Sequence, residues 1–553
     1  MKRLLVLFTM LALLGACNSH TEITTDPLPT ITLGDQGNYH TIKVGQSLTL
    51  SPSTTYGQSY QWIMDGVTLA TTPSYTFTPA SEGTFYLTFR VTNQAGSSEE
   101  DIRIDVEALQ PPLLSFATDA DGVLTIAIGE STIEPNVLYG QGAQYEWSLD
   151  GEIVATTPTC TLTISTAGEH SLSLRVTNAD GSTTESVTLR VVEHLAGEIL
   201  MLASVATPLG RTLYLDAVPC NFSSPTYRWR VNGVESTDPI FAFTPTSEGT
   251  YNVTLTLSDD DGYSLSRDVA VEVTPAEGTY CRTATASSQS LCNKVYEYRP
   301  AAGQFINELQ SGFAAEQSAA AATAYAERRL AEGKYLSLGA WGGYVVVGFD
   351  HSIASGEGYD FSITGNQHEG SSEAGIVWVM QDSNGNGLPD DVWYELRGSE
   401  WGSATYQSGY AITYYRPAYD NMNIQWHDNR GKSGFITRNS THTQPSYYPA
   451  WEGSTLTLYG SLLEPNTDVD TATGNQINNA YEWGYADNQG TDSATVTSGV
   501  KNYFKISSAV AADGSAANLQ YIDFVKVQSA INFVAGALGE ISTEVLSIED
   551  ENM

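Results

Sequence analysis

The chain has 553 residues, enough for several domains rather than one. Its formal charge of −38 and pI near 4.3 repel nucleic acid and anionic lipid headgroups, which excludes both as electrostatic partners. A hydrophobic content of 41%, with 31 Tyr and 10 Trp, supplies enough core material to exclude global disorder.

The N-terminus is a processing segment. Lys2-Arg3 forms a positive region, and Leu4 to Leu14 an apolar run too short to span a bilayer as a helix. The run ends Leu14-Gly15-Ala16-Cys17, which resembles the lipobox of bacterial lipoproteins. That resemblance implies cleavage before Cys17, lipid on its thiol, and anchorage by acyl chains. Residues 1–17 are thus read as signal peptide with lipidated Cys17, and 18–29 as a polar tether. No later apolar run is long enough to span a membrane.

A repeat follows. Tyr60-Gln61-Trp62 leads to Asp65-Gly66, Tyr145-Glu146-Trp147 to Asp150-Gly151, and Tyr227-Arg228-Trp229 to Asn232-Gly233. Each is a strand entering a tight turn of positive φ. Further on, Leu87, Phe89 and Val91 alternate with polar residues, as do Leu172, Leu174 and Val176, and Val253, Leu255 and Leu257. Such alternation predicts strands buried on one face, and one Trp per copy predicts small β-sandwiches. The copies resemble PKD-like, immunoglobulin-type modules at 30–108, 112–194 and 195–275, read as a spacer rather than a binding surface. Arg103, Asp105, Arg190, Arg267 and Asp268 are read as charges that protect edge strands. Cys160 and Cys220 are expected to be core thiols, and Cys281 and Cys292 either pair or stay free.

Residues 276–300 read as a Ser/Thr/Ala-rich linker and Gln304 to Glu332 as a helix. In that helix Phe305, Leu309 and Phe313 recur at helical spacing, and Arg328, Arg329 and Gly333 mark the C-terminus. The terminal domain, 301–553 with this helix, is otherwise strand-rich. Val345–Val347, Tyr359–Ile363, Ile376–Met380, Tyr410–Tyr415, Leu456–Leu458 and Tyr521–Val527 are its candidate strands. The fold class is therefore mainly β: three sandwich modules, a helix, and a larger jelly-roll-like β-sandwich with long loops.

One loop has the oxygen spacing of a calcium site. Asp382, Asn384 and Asn386 take positions 1, 3 and 5, Gly387 position 6 and Asp390 position 9. Trp393 replaces the bidentate Glu at position 12, so the loop suits a structural ion rather than a switch. An Asx-turn loop held by its own side chains is the alternative. No His-Glu-x-x-His, Gly-x-Ser-x-Gly, phosphate-loop or Cys/His metal spacing occurs, and the chain is read as a non-enzyme. Aromatics crowd residues 393–451 among neutral amides such as Asn421, Asn423, Gln425 and Asn429. Flat rings beside amides suit a large, uncharged, amphipathic ligand. Tyr414-Tyr415 and Tyr447-Tyr448 are adjacent pairs, read as strand residues with one member of each off the core. The candidate contacts are Trp393, Trp401, Tyr415, Trp426, His427, Tyr448 and Trp451.

The segments Tyr344 to Ile353, Gly375 to Asp382, Asn384 to Asp391 with Trp393-Tyr394-Glu395-Leu396, Tyr414 to Pro417, Ile522 to Val527 and Gly539 to Glu544 resemble the terminal domain of a family of Bacteroidetes cell-surface lipoproteins. The resemblance covers roughly 335–548. The family includes surface-exposed cobamide (vitamin B12)-binding lipoproteins that accompany TonB-dependent transporters. It implies an outer-membrane lipoprotein facing the cell exterior that captures cobamide and passes it to such a transporter. A calcium-dependent glycan-binding or adhesive protein is the alternative reading, and a glycan hydrolase a weaker one.

Overall fold

The computed structural model describes residues 27–260, 262–314, 316–471 and 473–553. Cys17, the signal segment and most of the tether lie outside them. The chain divides into two compact units, one ending at Pro111 and the other running from Pro112 to Met553.

The first unit contains module 1. Its five-stranded sheet runs in the order Tyr39–Lys43, Gly96–Glu107, Gly83–Asn93, Ser59–Met64, Val67–Ala70. Two further pairs, Thr30–Thr32 with Ser53–Thr55 and Leu48–Leu50 with Tyr75–Phe77, complete it. Residues 27–29, read as tether, join the module: Asn93 Nδ2 donates to Pro27 O (2.8 Å) and Ser98 Oγ to Pro29 O.

Modules 2 and 3, in the second unit, repeat this plan. The three hairpins are the expected ones. Met64 pairs with Val67, Leu149 with Glu152 and Val231 with Val234. The intervening pairs all have positive φ: Asp65 50° and Gly66 78°, Asp150 52° and Gly151 90°, Asn232 46° and Gly233 83°. Two left-handed residues give the turn whose twist matches the strands, which is why Asp/Asn-Gly stands there. Trp62, Trp147 and Trp229 are fully buried, and each indole N–H donates to a backbone carbonyl, of Thr72 (3.1 Å), Thr157 (2.9 Å) and Asp238 (3.0 Å). A buried indole needs that partner.

The charges read as edge guards are elsewhere. Arg103 and Asp105, Arg190, and Arg267 and Asp268 sit on strands paired on both sides. Arg103, Asp105, Arg190 and Asp268 occupy the solvated face of an interior strand, where Arg103 bonds Asp105 (2.8 Å), whereas Arg267 shares the face of Val269 and Val271 and donates to Ile199 O (3.1 Å). Sequence alternation identifies the wet face but not the position of a strand in the sheet.

The terminal domain begins earlier than the linker reading placed it. Besides two short strand pairs (Leu336–Ser337 with Glu544–Val545, and Thr467–Val469 with Gln476–Asn478), its elements are β1 (Lys294–Arg299), α1 (Ala319–Ala331), β2 (Tyr344–Ala354), β3 (Phe361–Gly365), β4 (Gly375–Met380), β5 (Trp393–Leu396), β6 (Tyr406–Tyr415), β7 (Ile424–Asp428), β8 (Ser433–Ile436), β9 (Thr455–Leu463), β10 (Ser493–Val496), β11 (Gly499–Phe504), β12 (Ala509–Val510), β13 (Tyr521–Ser529) and β14 (Ser547–Asp550). A six-stranded sheet has the order β1-β2-β13-β4-β5-β12, and two four-stranded sheets have β10-β11-β3-β14 and β8-β7-β6-β9. All their pairings are antiparallel. Val345, Val347, Val377, Val379, Val525 and Val527 fill one face of the six-stranded sheet. They pack against Phe361 and Ile363 of β3, Phe504 of β11 and Tyr325 and Ala326 of α1.

The helix is shorter than expected. Ser318 caps it, its Oγ accepting from Ala321 N (3.2 Å). Upstream, Asn307 (φ 60°) and Gly312 (φ 86°) take left-handed conformations that interrupt a helix. Leu309, assigned to the apolar stripe, is 79% exposed. Cys160 is a core thiol, as expected, whereas Cys281 and Cys292 are unpaired. Cys292 packs on the terminal core, its N–H bonded to Ile548 O (2.9 Å), while Cys281 is exposed. The segment between them is fastened rather than loose: Arg282 bonds Asp523 (3.0 Å) and Phe349 O (2.9 Å).

Candidate functional site

Modules 2 and 3 are docked on the terminal domain, which a pure spacer would not require. Module 2 contributes Asn136 Nδ2 donating to Asn423 O (2.7 Å) and accepts from Gln425 Nε2 at Glu134 O (3.0 Å). Module 3 is held by Arg211. Its guanidinium donates to Gln381 Oε1 (2.6 Å) and pairs with Glu277 (2.6 Å). Ala206 N of the same module donates to the buried Asp391 (3.1 Å). Burial pushes the Asp391 carboxyl up to about 7, against the amide bond from Ser383.

Between module 3 and the terminal domain lies a cleft of about 240 Å³. Cross-strand register builds its floor. Trp378 of β4 stands opposite Lys526 of β13 and opposite Glu395 of β5. The three side chains therefore form one row across the sheet, on the face opposite the valine core, and Trp393 stands two residues from Glu395 on that face. Lys526 Nζ lies 4.6 Å from the Trp378 ring centre and 5.2 Å from that of Trp393. Burial depresses its pKa to about 8, with Glu297 and Glu395 opposing the fall. Glu395 is buried, and its Oε2 accepts from Ser461 Oγ (2.7 Å) and Tyr406 OH (2.9 Å). Burial pushes its carboxyl up to about 7, against the bonds from Ser461 and Tyr406. Trp378 Nε1 is buried without a hydrogen-bond partner. The opposite wall is apolar: Leu200, Met201, Leu213 and Leu215 of module 3. Trp401, over Arg397 at 4.6 Å, and Tyr459 close the cleft.

Of the seven residues chosen as ligand contacts, Trp393 and Trp401 line this cleft. The other five are dispersed. Tyr448 is fully buried with Arg416 over its ring (4.6 Å), and Trp426 packs on the same core. Trp451 packs on the main terminal core beside Phe313. Tyr415 and His427 contact each other (5.0 Å between ring centres) on the face of β6 and β7 that also presents Gln425 to module 2. Burial lowers the pKa of His427. Tyr414 and Tyr415 divide between the faces as strand residues must, but Tyr447 and Tyr448 are both fully buried. They lie outside any strand, where alternation has no force.

Sequence reasoning missed Trp378, Glu395, Tyr406, Tyr459, Lys526 and the module 3 wall. One signal was available: Lys526 is the single cation inside the apolar run Phe524-Val525-Lys526-Val527, and a charge at such a position needs a reason.

The Asp382 loop is held by its own side chains. Asp382 accepts from Asn386 N (3.1 Å) and Gly387 N (2.9 Å), Asn384 Oδ1 from Asn386 N (3.1 Å), and Asn386 Oδ1 from Leu388 N (2.7 Å). Asn386 Nδ2 donates to both oxygens of Asp390 (3.1 Å each). These oxygens retain lone pairs on a short loop, which suits calcium, but rotation of the Asn386 amide would have to release Asp390.

Residues 28–93 and 111–178 match the model of the PKD-like domain. No curated protein matches the sequence significantly. Among solved structures, the chain is similar to three N-terminal domains of the bacteriophage RB49 Highly Immunogenic Outer Capsid protein, at 14% identity and TM-score 0.23, covering 44% of this chain and 99% of that one. It is similar to the I67–I69 fragment of titin at 14% identity and TM-score 0.21, covering 44% and 98%. For extracellular domains 3–5 of Drosophila OTK the values are 14%, 0.17, 43% and 94%. Scores so low carry no argument about function. The PKD-like match points to an adhesive or binding protein, and no enzyme family is indicated.

Proposed function

We propose that this chain is a lipid-anchored, non-catalytic capture protein of the outer membrane, facing the cell exterior, whose ligand is a cobamide handed on to a TonB-dependent transporter. The observation that carries a binding role is the cleft, which gathers aromatic faces, one ammonium and one buried carboxyl between two domains. Such a wall of rings with few polar groups is what an amphipathic ligand requires. The resemblance of residues 335–548 to a family of surface lipoproteins that includes cobamide binders suggests the ligand class. A corrin with its amide arms is several times larger than 240 Å³, so the cleft takes one edge of it, with Lys526 available to an anionic group of the ligand. Because module 3 supplies one wall, the terminal domain binds together with module 3.

A second reading is a glycan-binding protein. The cleft volume favours it, since 240 Å³ holds one or two sugar rings, which stack on Trp faces. Calorimetry of the full chain with cyanocobalamin and, separately, with neutral oligosaccharides distinguishes the two. Cobamide is expected to bind with micromolar or tighter affinity, and Trp393→Ala to weaken it about 30-fold, as loss of a central aromatic contact does. Absence of heat with cobamide, together with saccharide binding that Trp393→Ala abolishes, overturns the cobamide reading.

A further inference from the structure

A second cluster lies apart from the cleft, inside the terminal domain. Glu373 precedes β4, Asp487 lies in the loop before β10, and Glu544 precedes β14. One oxygen from each of the three carboxylates lies within 4.8 Å of the others. Asp487 is fully buried and Glu544 is 2% exposed. Among the described residues, no ion pair engages any of the three. Three carboxylates so placed repel one another strongly in a low-dielectric interior, and water cannot screen them.

Asp487 accepts from Gln367 N (3.1 Å) and Glu544 N (2.9 Å) and Glu544 from Ser542 Oγ (2.6 Å), but two acceptors beside the cluster have no partner. The first is Gln367, 3% exposed, whose Oε1 has no hydrogen-bond partner. Its orientation is fixed, because Nε2 donates to Asn502 Oδ1 (2.7 Å) and Val500 O (3.3 Å), and a flipped amide would set oxygen against oxygen. The orphan oxygen is on the side of Asp487. The point where a Cβ on Gly365 would stand is 2.3 Å from Gln367 Oε1 and 2.6 Å from Asp487 Oδ1. Only a glycine there leaves room for both oxygens. The second is Glu540, 1% exposed, whose Oε2 is also without a partner and whose charge acts on Glu373 and Glu544. A buried acceptor without a donor beside buried carboxylates is costly unless a cation completes the set.

We propose that Glu373, Asp487 and Glu544, with Gln367 Oε1 as a neutral ligand, bind a calcium ion that ties together the chain segments carrying them. Calcium takes oxygen ligands at about 2.3–2.6 Å in irregular cages, so ions of this size bridge oxygens up to about 5 Å apart. Magnesium demands a smaller, regular octahedron and keeps its water, for which an all-protein carboxylate site is unsuited. The site is independent of the Asp382 loop, which shares no ligand with it.

The test uses the full-length protein, stripped with EGTA and then dialysed against radioactive calcium. Wild type and Asp382→Ala are each expected to retain one equivalent attributable to this cluster, and Glu373→Gln/Asp487→Asn to lose it. Melting temperature is expected to rise with calcium in Asp382→Ala and to stay constant when Glu373→Gln/Asp487→Asn is combined with Asp382→Ala. If the double variant fails to fold, Asp382→Ala alone decides the matter. A folded Asp382→Ala protein that retains no calcium, and whose melting temperature ignores calcium, overturns the proposal whatever the double variant does.

Discussion

Arg211 is the residue on which the docking of module 3 can be tested. Its guanidinium side chain is 13% exposed and that of its partner Glu277 18%, so this pair is largely withdrawn from water. Breaking a buried ion pair by removing one partner costs about 3–5 kcal/mol, because the remaining charge is left without compensation. Here the remaining charge is not abandoned: Glu277 Oε1 keeps bonds from Gln381 Nε2 (2.8 Å) and Gln520 N (3.0 Å). Arg211→Ala is therefore expected to fall at or below the foot of that range, with a loss of about 2–3 kcal/mol. Arg230, on the same module, provides the control. It pairs with Glu235 at 2.8 Å, but both side chains are about half exposed, so Arg230→Ala is expected to cost less than about 0.5 kcal/mol. Urea denaturation followed by Trp fluorescence measures both variants, and limited proteolysis of the 195–300 region reports whether module 3 has come loose. Equal stability of the two variants, or an Arg211→Ala protein with unaltered proteolysis, would refute the view that this pair fastens the module.

Lys526→Met is expected to stabilise the protein at pH 7. The fall of the ammonium pKa from 10.5 to about 8 corresponds to about 3 kcal/mol, offset in part by the two indole contacts, leaving about 1–2 kcal/mol. Because the folded-state pKa is depressed, the deficit of the wild type is full below pH 8 and disappears as pH rises towards 10.5, so denaturation curves of the two proteins should converge there. A variant no more stable than wild type at pH 7 removes this account. Calcium at Asp382, Asn384, Asn386 and Asp390 predicts that Asp382→Ala lowers the bound calcium by one equivalent on elemental analysis, and an unchanged content contradicts it. Lipidation predicts that Cys17→Ala moves the protein out of the membrane fraction and abolishes palmitate labelling; retention of both would count against the anchor.

The repeats were legible because their signals are local. A Trp followed by Asp-Gly or Asn-Gly specifies a strand and its turn within a few residues, and strict alternation assigns each face. The candidate strands of the terminal domain were found for the same reason, each overlapping an observed one, such as Ile376–Met380 within Gly375–Met380. Periodicity alone overextends the helix, because it carries no sign of the left-handed Asn307 and Gly312, whose conformations depend on what they pack against. Aromatic density in 393–451 located a rich segment but not a site. Tyr448, Trp426 and Trp451 fill cores, since a large ring buries the most area wherever space remains.

By itself the sequence determined the module count, the β class, the turn types and which residues of each strand are apolar. Tertiary structure alone decided that Lys526, Trp378 and Glu395 share one row, because strands far apart in the chain were brought into register. It also decided that module 3 walls a cleft, and that Glu373, Asp487 and Glu544 meet. Local propensity acts through neighbours in sequence, whereas sites assembled from distant strands depend on pairing order and domain docking, which no single segment encodes.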